Sequence, residues 1–419
     1  MIFLTTGEKI RTLRKKFNMR QQELEDKNIT RAFISMIETG KRGLSKESAK
    51  HISEKLNNKA IELGLNLNID EAYLLRTPEE DAEIYCLEKL TNNPTFDEID
   101  VIINISKGYN LVTVEAQAYK TIGDYNYGSE NYISAFINYM VSLDLYKETI
   151  CKEYLPYLYN RLALCKTNQF EYIEAISFLN RANHYSKIYN DKVIEKSSLY
   201  NLARVHKQLY KYNEALDFID KYLYLSDMKA DCKDYIYASV LKANCYNSKG
   251  NNEKATAIFI ELLELIKDRE NDILWYVFNS LAVTYLEQDN LSKSLEFFER
   301  AEKAADRKNI SNTYIQKARV YIKLQKYDDA LDIVKSGLRI AAEDNDREGM
   351  LNGYYVLTDI YSIIENFQGL KTTYIKILDI LKNKDHYKDQ INRIYNRLAL
   401  LYLEQNDIEM CKKYLNMAS

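Results

Sequence analysis

The chain has 419 residues but only 12 Gly and 3 Pro, too few turn-formers for an all-β sandwich or a large, turn-rich α/β enzyme. Its hydrophobic content of 46% and charged content of 28% are those of a folded protein, not a disordered one. The formal net charge of −3 predicts no overall attraction to nucleic acid or to an anionic membrane, yet that charge is unevenly spread. Residues 1–58 hold 13 Lys+Arg against 7 Asp+Glu (net +6), and the remainder holds 45 against 54 (net −9). A small basic head on a large acidic body is the asymmetry expected when one part touches phosphates. The run Ile2-Phe3-Leu4 is too short for a signal-peptide core, and no apolar stretch approaches the roughly 18 residues a membrane helix needs. Six scattered cysteines (Cys86, Cys151, Cys165, Cys232, Cys245, Cys411) form no C-x-x-C pair, and His51, His184, His206 and His386 are isolated. The expectation is a cytoplasmic chain with reduced thiols and no membrane contact. It should have no metal or other cofactor and, lacking a phosphate loop or nucleophile elbow, no catalytic residues.

In chain order, residues 5–57 read as four or five short helices. Ile10, Leu13 and Phe17 share a face, followed by Leu24, by Ile34 and Ile37, and by Ala49, Ile52 and Leu56. At the centre, Gln21–Leu24 is linked by four residues to Ile29–Glu38, with Thr30 as an N-cap and Gly40 closing the helix. Two short helices and a tight turn are the geometry in which the second helix enters a major groove. Gly7, Ile10, Leu13-Arg14, Gln21, Leu24, Ile29-Thr30, Ile34-Ser35, Ile37-Glu38 and Gly40-Lys41-Arg42 together resemble the XRE-type helix-turn-helix. Arg20 departs from its usual Ser or Thr cap, and the link is short. The resemblance implies DNA contacts from Gln21, Thr30, Arg31, Ala32, Met36, Lys41 and Arg42, with Gln21 and Lys41 at phosphates. Arg31 can donate two hydrogen bonds to guanine, Phe33 reads as core, and Arg14–Glu38 as a structural ion pair.

Residues 57–70 read as the end of the head and a connector. Pro78 predicts the first turn of a helix ending near Thr91, and a second helix is expected from about Asp97. Beyond residue 110 one pattern recurs. Gly123, Ala163, Ala203, Ala243, Ala282, Ala318, Thr358 and Ala399 are spaced by 40, 40, 40, 39, 36, 40 and 41 residues. Twelve residues after each comes a second, mostly small position (Ala135, Ala175, Ala215, Ala255, Ser294, Ala330, Leu370, Cys411). Four further on is a large one (Tyr139, Leu179, Ile219, Phe259, Phe298, Val334, Tyr374, Leu415). Small residues at fixed places let two helices approach closely, so each unit reads as a hairpin whose apolar face its neighbours must cover. Leu281-Ala282-x-x-Tyr285, Ser294, Phe298 and Ala301 resemble the tetratricopeptide repeat, lengthened beyond its usual 34 or so residues.

The predicted fold is all-α: an N-terminal XRE-type helix-turn-helix domain followed by a right-handed α-solenoid of eight or nine tetratricopeptide-like hairpins. Residues 1–66 form the head with its connector, 67–110 a degenerate first hairpin, and 111–419 a domain for peptide sensing and dimerisation. As a whole the chain is similar to the RRNPP family of peptide-pheromone regulators, nearest its NprR/PlcR branch. That resemblance implies a homodimer, a two-fold related double-stranded DNA operator and a short signalling peptide in a concave groove.

Independently of the resemblance, residues six and three before each anchor, and one and four after it, share the inner face of the hairpin. These 32 positions hold seven Asn and six Tyr, with Lys120, Arg204, Lys207, Arg319 and Arg393 against Asp124 and Asp359 and no Glu. Asn both donates to and accepts from a peptide backbone, Tyr gives contact area with few rotors, and Arg suits a carboxylate. The densest run predicts a peptide site at Asn160, Tyr200, Arg204, Lys207, Tyr237, Asn244, Asn247 and Asn279. Alternatives are a Rap-like scaffold that docks a response regulator, and a phage- or plasmid-type repressor with a protein antagonist. The last repeat, with Ile408, Cys411 and Leu415 and no polar helix after it, predicts an apolar face suited to dimerisation.

Overall fold

The structure, a computed structural model, describes residues 2–27, 29–65, 67–227, 232–266, 271–381 and 388–418; His386 lies outside them. Among the described residues there are 22 α-helices, two 3-10 turns and no strand. The chain divides into two compact units, Met1–Lys166 and Thr167–Ser419.

The first unit opens with α1 (Thr6–Lys16), a 3-10 turn at Gln21–Leu24, α2 (Arg31–Glu38), α3 (Lys46–Glu62) and α4 (Glu71–Leu75). Hairpin helices follow: α5 (Pro78–Thr91), α6 (Phe96–Gly108), α7 (Val112–Gly128), α8 (Tyr132–Glu148) and α9 (Leu155–Asn168). Their starts are written locally. Thr5, Thr77 and Thr95 each accept a backbone N–H while Glu8, Glu80 and Glu98 reach back to the cap, and Pro78 sits in its helix's first turn. The head's core is Ile10, Phe17, Leu24, Ile34, Ile37, Ile52 and Leu56, each at most 2% exposed. Gly7 lets α1 lie directly on the end of α2, since a Cβ there would stand 2.1 Å from the Ile37 carbonyl oxygen. The first helix of the expected motif is a single 3-10 turn, because Glu25 is already extended and Asp26 and Ile29 exchange two backbone hydrogen bonds behind it.

The head is stitched to the first hairpin. Lys9, 1% exposed, donates to the carbonyls of Tyr73 (3.0 Å) and Arg76 (2.7 Å) and pairs with Asp81, which also accepts from Arg76 Nε at 2.7 Å. Phe3 packs its ring against Tyr85 and Tyr109, at 5.7 and 5.5 Å between centroids, and donates its N–H to the Tyr109 hydroxyl at 3.0 Å.

The second unit continues with α10 (Tyr172–Ile188), α11 (Lys192–Gln208), α12 (Tyr212–Tyr224), α13 (Cys232–Ser248), α14 (Asn252–Leu265), α15 (Asn271–Glu287) and α16 (Leu291–Ala304). It ends with α17 (Arg307–Lys323), α18 (Tyr327–Glu343), α19 (Arg347–Ile363), α20 (Phe367–Leu381), α21 (Lys388–Glu404) and α22 (Ile408–Met417). Helices pair in sequence, and α11, α13, α15 and α17 also each touch the next but one, so the odd-numbered helices from α11 to α19 form one inner layer. The eight anchor residues and the eight small positions twelve later are all buried, including Thr358, Leu370 and Cys411, where the type departs from small. The large position is buried from Tyr139 to Tyr374 but not at Leu415, 49% exposed. On the same two last helices Leu400, Leu403, Ile408 and Met417 are exposed as well. Each fully buried large apolar side chain of the series, Phe298 among them, contributes roughly 2–3 kcal/mol.

A feature that the residue types do not betray sits seven positions after every anchor. Glu130, Phe170, Tyr210, Gly250, Asp289, Gln325, Glu365 and Asn406 all have positive φ, between 52° and 77°. There the first helix of the hairpin ends in a left-handed joint, as when Gln325 N–H donates to Ile322 and Lys326 N–H to Tyr321. Only Gly250 is free of the side-chain penalty for this conformation. Gln325→Gly is therefore expected to stabilise the chain by about 0.5–1 kcal/mol. Urea unfolding reads this as a higher midpoint at unchanged slope, and a lower midpoint contradicts it.

Candidate nucleic-acid interface and ligand groove

Residues of α2 face two ways. Ile34 and Ile37 enter the core, while Arg31, Ala32 and Met36 are exposed along the opposite edge, followed by exposed Lys41 and Arg42. Thr30 caps the helix, its hydroxyl oxygen accepting the Phe33 N–H at 3.3 Å, and Arg31 N–H donates to Glu25 Oε1 at 2.7 Å. Phe33 packs on the core from one side and carries the Arg42 guanidinium over its ring, 5.0 Å from the centroid. Arg14 donates Nε and Nη2 to the two Glu38 oxygens at 2.6 and 2.8 Å. Burial pushes the Glu38 carboxyl's pKa up, but hydrogen bonds from Arg14 and Gln21 outweigh it and leave the pKa below the ordinary carboxylate value. The Gln21 amide donates to Glu38 Oε2 at 2.9 Å, which uses one of its two N–H donors.

In the second unit the inner helices present two rows. One is aromatic: Tyr237 and Tyr276 meet edge to face at 4.9 Å, and Tyr200 and Arg204 lie close enough to act on the Tyr276 hydroxyl, whose pKa burial raises. The other row, about two turns further along α11, α13 and α15, is polar and encloses a cavity of ≈ 210 Å³. Lys207, Asn244, Asn247, Ser248, Asn279, Ser280, Val283, Glu287, Asn312 and Gln316 line it. Of the eight residues expected at a peptide site, the cavity gathers Lys207, Asn244, Asn247 and Asn279. Tyr200 and Tyr237 belong to the aromatic row, Arg204 is exposed one turn before Lys207, and Asn160, 5% exposed, is part of the first unit. Trp275 Nε1 donates to Thr313 Oγ1 at 2.8 Å, and that hydroxyl donates to Asn279 Oδ1 at 3.3 Å.

The expectation that the inner face carries no Glu is corrected here. Glu287 lies five residues after its anchor, one place beyond the four considered, and Ser248 holds the same place in the preceding repeat; the helix face open to the cavity is wider than that pattern. In the first unit, Asp124 accepts hydrogen bonds from Tyr157 (2.6 Å), Tyr139 (2.7 Å) and Lys120 (2.9 Å). Burial raises its pKa, but those bonds together outweigh it, so the carboxyl stays below the ordinary Asp value and the pair with Lys120 cancels. Arg161 joins this cluster over the rings of Tyr127 and Tyr157, at a position outside the expected set. Among the described residues no helix is long and apolar enough to cross a membrane, and no three of His, Cys, Asp and Glu group as a metal site.

Comparison with known families decides the architecture. Residues 10–63 match the helix-turn-helix family, and residues 393–418 a tetratricopeptide repeat. The chain is a helix-turn-helix head on tetratricopeptide-like repeats. It is 26% identical over 225 residues to response regulator aspartate phosphatase E of Bacillus subtilis, covering 48% of this chain and 58% of that protein. The chain thus spans rather more than half the length of that curated relative. Among solved structures it resembles the apo form of the quorum sensor NprR from B. thuringiensis at 16% identity and a TM-score of 0.50, over 81% of this chain and 98% of that one. A Rap protein complexed with competence and sporulation factor aligns at 13% identity and a TM-score of 0.47, over 98% and 97%. At such identities the likeness is one of fold. A helix-turn-helix head followed by such repeats is consistent with an RRNPP-family regulator.

Proposed function

We propose that the chain is a transcriptional regulator that reads double-stranded DNA through α2 and is switched by a short peptide held on the inner layer of the second unit. The cavity carries this reading. Asn side chains from α13, α15 and α17, with Lys207 from α11, converge where an extended backbone can be gripped by donor and acceptor alike. A ligand that bridges successive inner helices binds differently to wider and narrower spacings of those helices, which a switch requires. Two-fold pairing of the chain fits a head that by itself covers only one half-site, and the exposed apolar side chains of α21 and α22 suit such pairing. The curated relative's name supports a second reading, in which the repeats dock a response regulator.

The full-length protein is used to enrich duplexes from a randomised pool, and the complex is then titrated with random hexapeptides. Sequence enrichment and a peptide-dependent change in DNA affinity are expected. Asn244→Ala and Arg204→Ala should each weaken the peptide response about 5- to 100-fold while leaving unliganded DNA affinity alone. A response unchanged in both variants moves the ligand out of this layer and puts the docking reading in front. Failure to enrich any duplex sinks the DNA half.

A further inference from the structure

The cavity has an unbalanced hydrogen-bond inventory. Asn247 is 8% exposed, and its Nδ2 donates to Glu287 Oε2 across α13 and α15. A carboxylate can only accept, so the amide must turn its nitrogen toward Glu287, which fixes Oδ1 on the other side. That oxygen is buried and has no hydrogen-bond partner. A buried acceptor left unpaired is costly, and beside it stands the Glu287 carboxylate. Lys207 lines the cavity from α11 and its charge already acts on Glu287, but it gives Asn247 Oδ1 no hydrogen bond.

We propose that this cavity takes the basic side chain of the peptide ligand, its guanidinium or ammonium group lodged between Glu287 and Asn247 Oδ1. The inference rests on the peptide reading above and adds the class of residue selected. A guanidinium fits best: it carries five donors in a planar fork, enough to satisfy a carboxylate and a neighbouring amide oxygen together. An acidic side chain would place acceptor against acceptor at Asn247, and an apolar one would leave Oδ1 unpaired. Glu287 is exposed at the cavity rim, so it can be changed without opening the core.

Full-length protein is titrated calorimetrically with hexapeptide pools in which one position is fixed as arginine, citrulline or norleucine and the rest are random. Emission from Trp275, the chain's single Trp and linked through Thr313 to Asn279, reports occupancy of this layer. In the wild type the best arginine pool should bind about tenfold or more tighter than its citrulline and norleucine counterparts and shift that emission. In Glu287→Gln the gap should close while citrulline binding stays as it was. Equal binding of all three pools to the wild type overturns the basic-residue proposal and leaves the peptide reading standing. An arginine preference that survives in Glu287→Gln also overturns it, because the basic group then sits elsewhere. Absence of binding by every pool overturns both.

Discussion

Replacing Glu38 with Gln is expected to destabilise the head by on the order of 3 kcal/mol. The carboxylate is 5% exposed and Arg14 12%, so the pair lies in the packed seam between α1 and α2, where an unmatched guanidinium cannot be hydrated fully. Glu38 also receives the Gln21 amide, so the substitution disturbs three groups at once. The pH dependence has a definite sign. The folded-state pKa of Glu38 is depressed, so its contribution is complete above the unfolded-state value and is lost as pH falls through the folded one, below about 4.5. Hydrogen exchange of the segment Thr6–Glu62 should therefore accelerate in the wild type as samples are acidified through that range. In Glu38→Gln it should already be faster at neutral pH and carry less of that acid dependence. Equal protection of the two proteins at pH 7 would remove the pair from the list of what holds the head together.

Arg31→Ala should lower affinity for an enriched duplex by roughly 5- to 150-fold, and the loss should vanish on duplexes changed at the contacted base pair. Its side chain starts the exposed edge of α2 and its fork can donate two hydrogen bonds to a guanine, whereas Ala32 and Met36 offer only apolar contact. Lys41→Ala should instead weaken all duplexes alike and lower the salt slope by about one, as removal of a phosphate contact does. Titrations of both variants at several salt concentrations separate the two. If Arg31→Ala affects every sequence equally, the residue lies against the backbone and the base-reading edge of α2 is elsewhere.

Much of the fold was legible because it rests on side-chain volume. The anchor series had to be small for helices to touch, and every member is buried, as are the positions twelve residues later. The head was legible for the same reason, through Gly7 and the spacing of its apolar residues. What escaped has physical causes. The left-handed joints are a backbone conformation adopted by residues as unlike as Phe170 and Glu365, stabilised by main-chain bonds that no side-chain pattern announces. Glu287 escaped because four positions per inner helix describe too narrow a face. The Gln21–Glu38 hydrogen bond escaped because only three-dimensional proximity reveals it. The Lys9–Asp81 pair joins residues 72 positions apart and left no trace in local spacing.

That last contact sets how motion can enter the head. Asp81 holds Lys9, Lys9 stands on α1 beside Gly7, and Gly7 abuts the carbonyl of Ile37 in α2, with Phe3 pinned between Tyr85 and Tyr109 as a second rivet. The helix proposed to read DNA is consequently no pendulum on a loose tether. α1 is the crank between α5 and α2, and it is through Lys9 and Gly7 that a tilt of the first hairpin would reach Arg31.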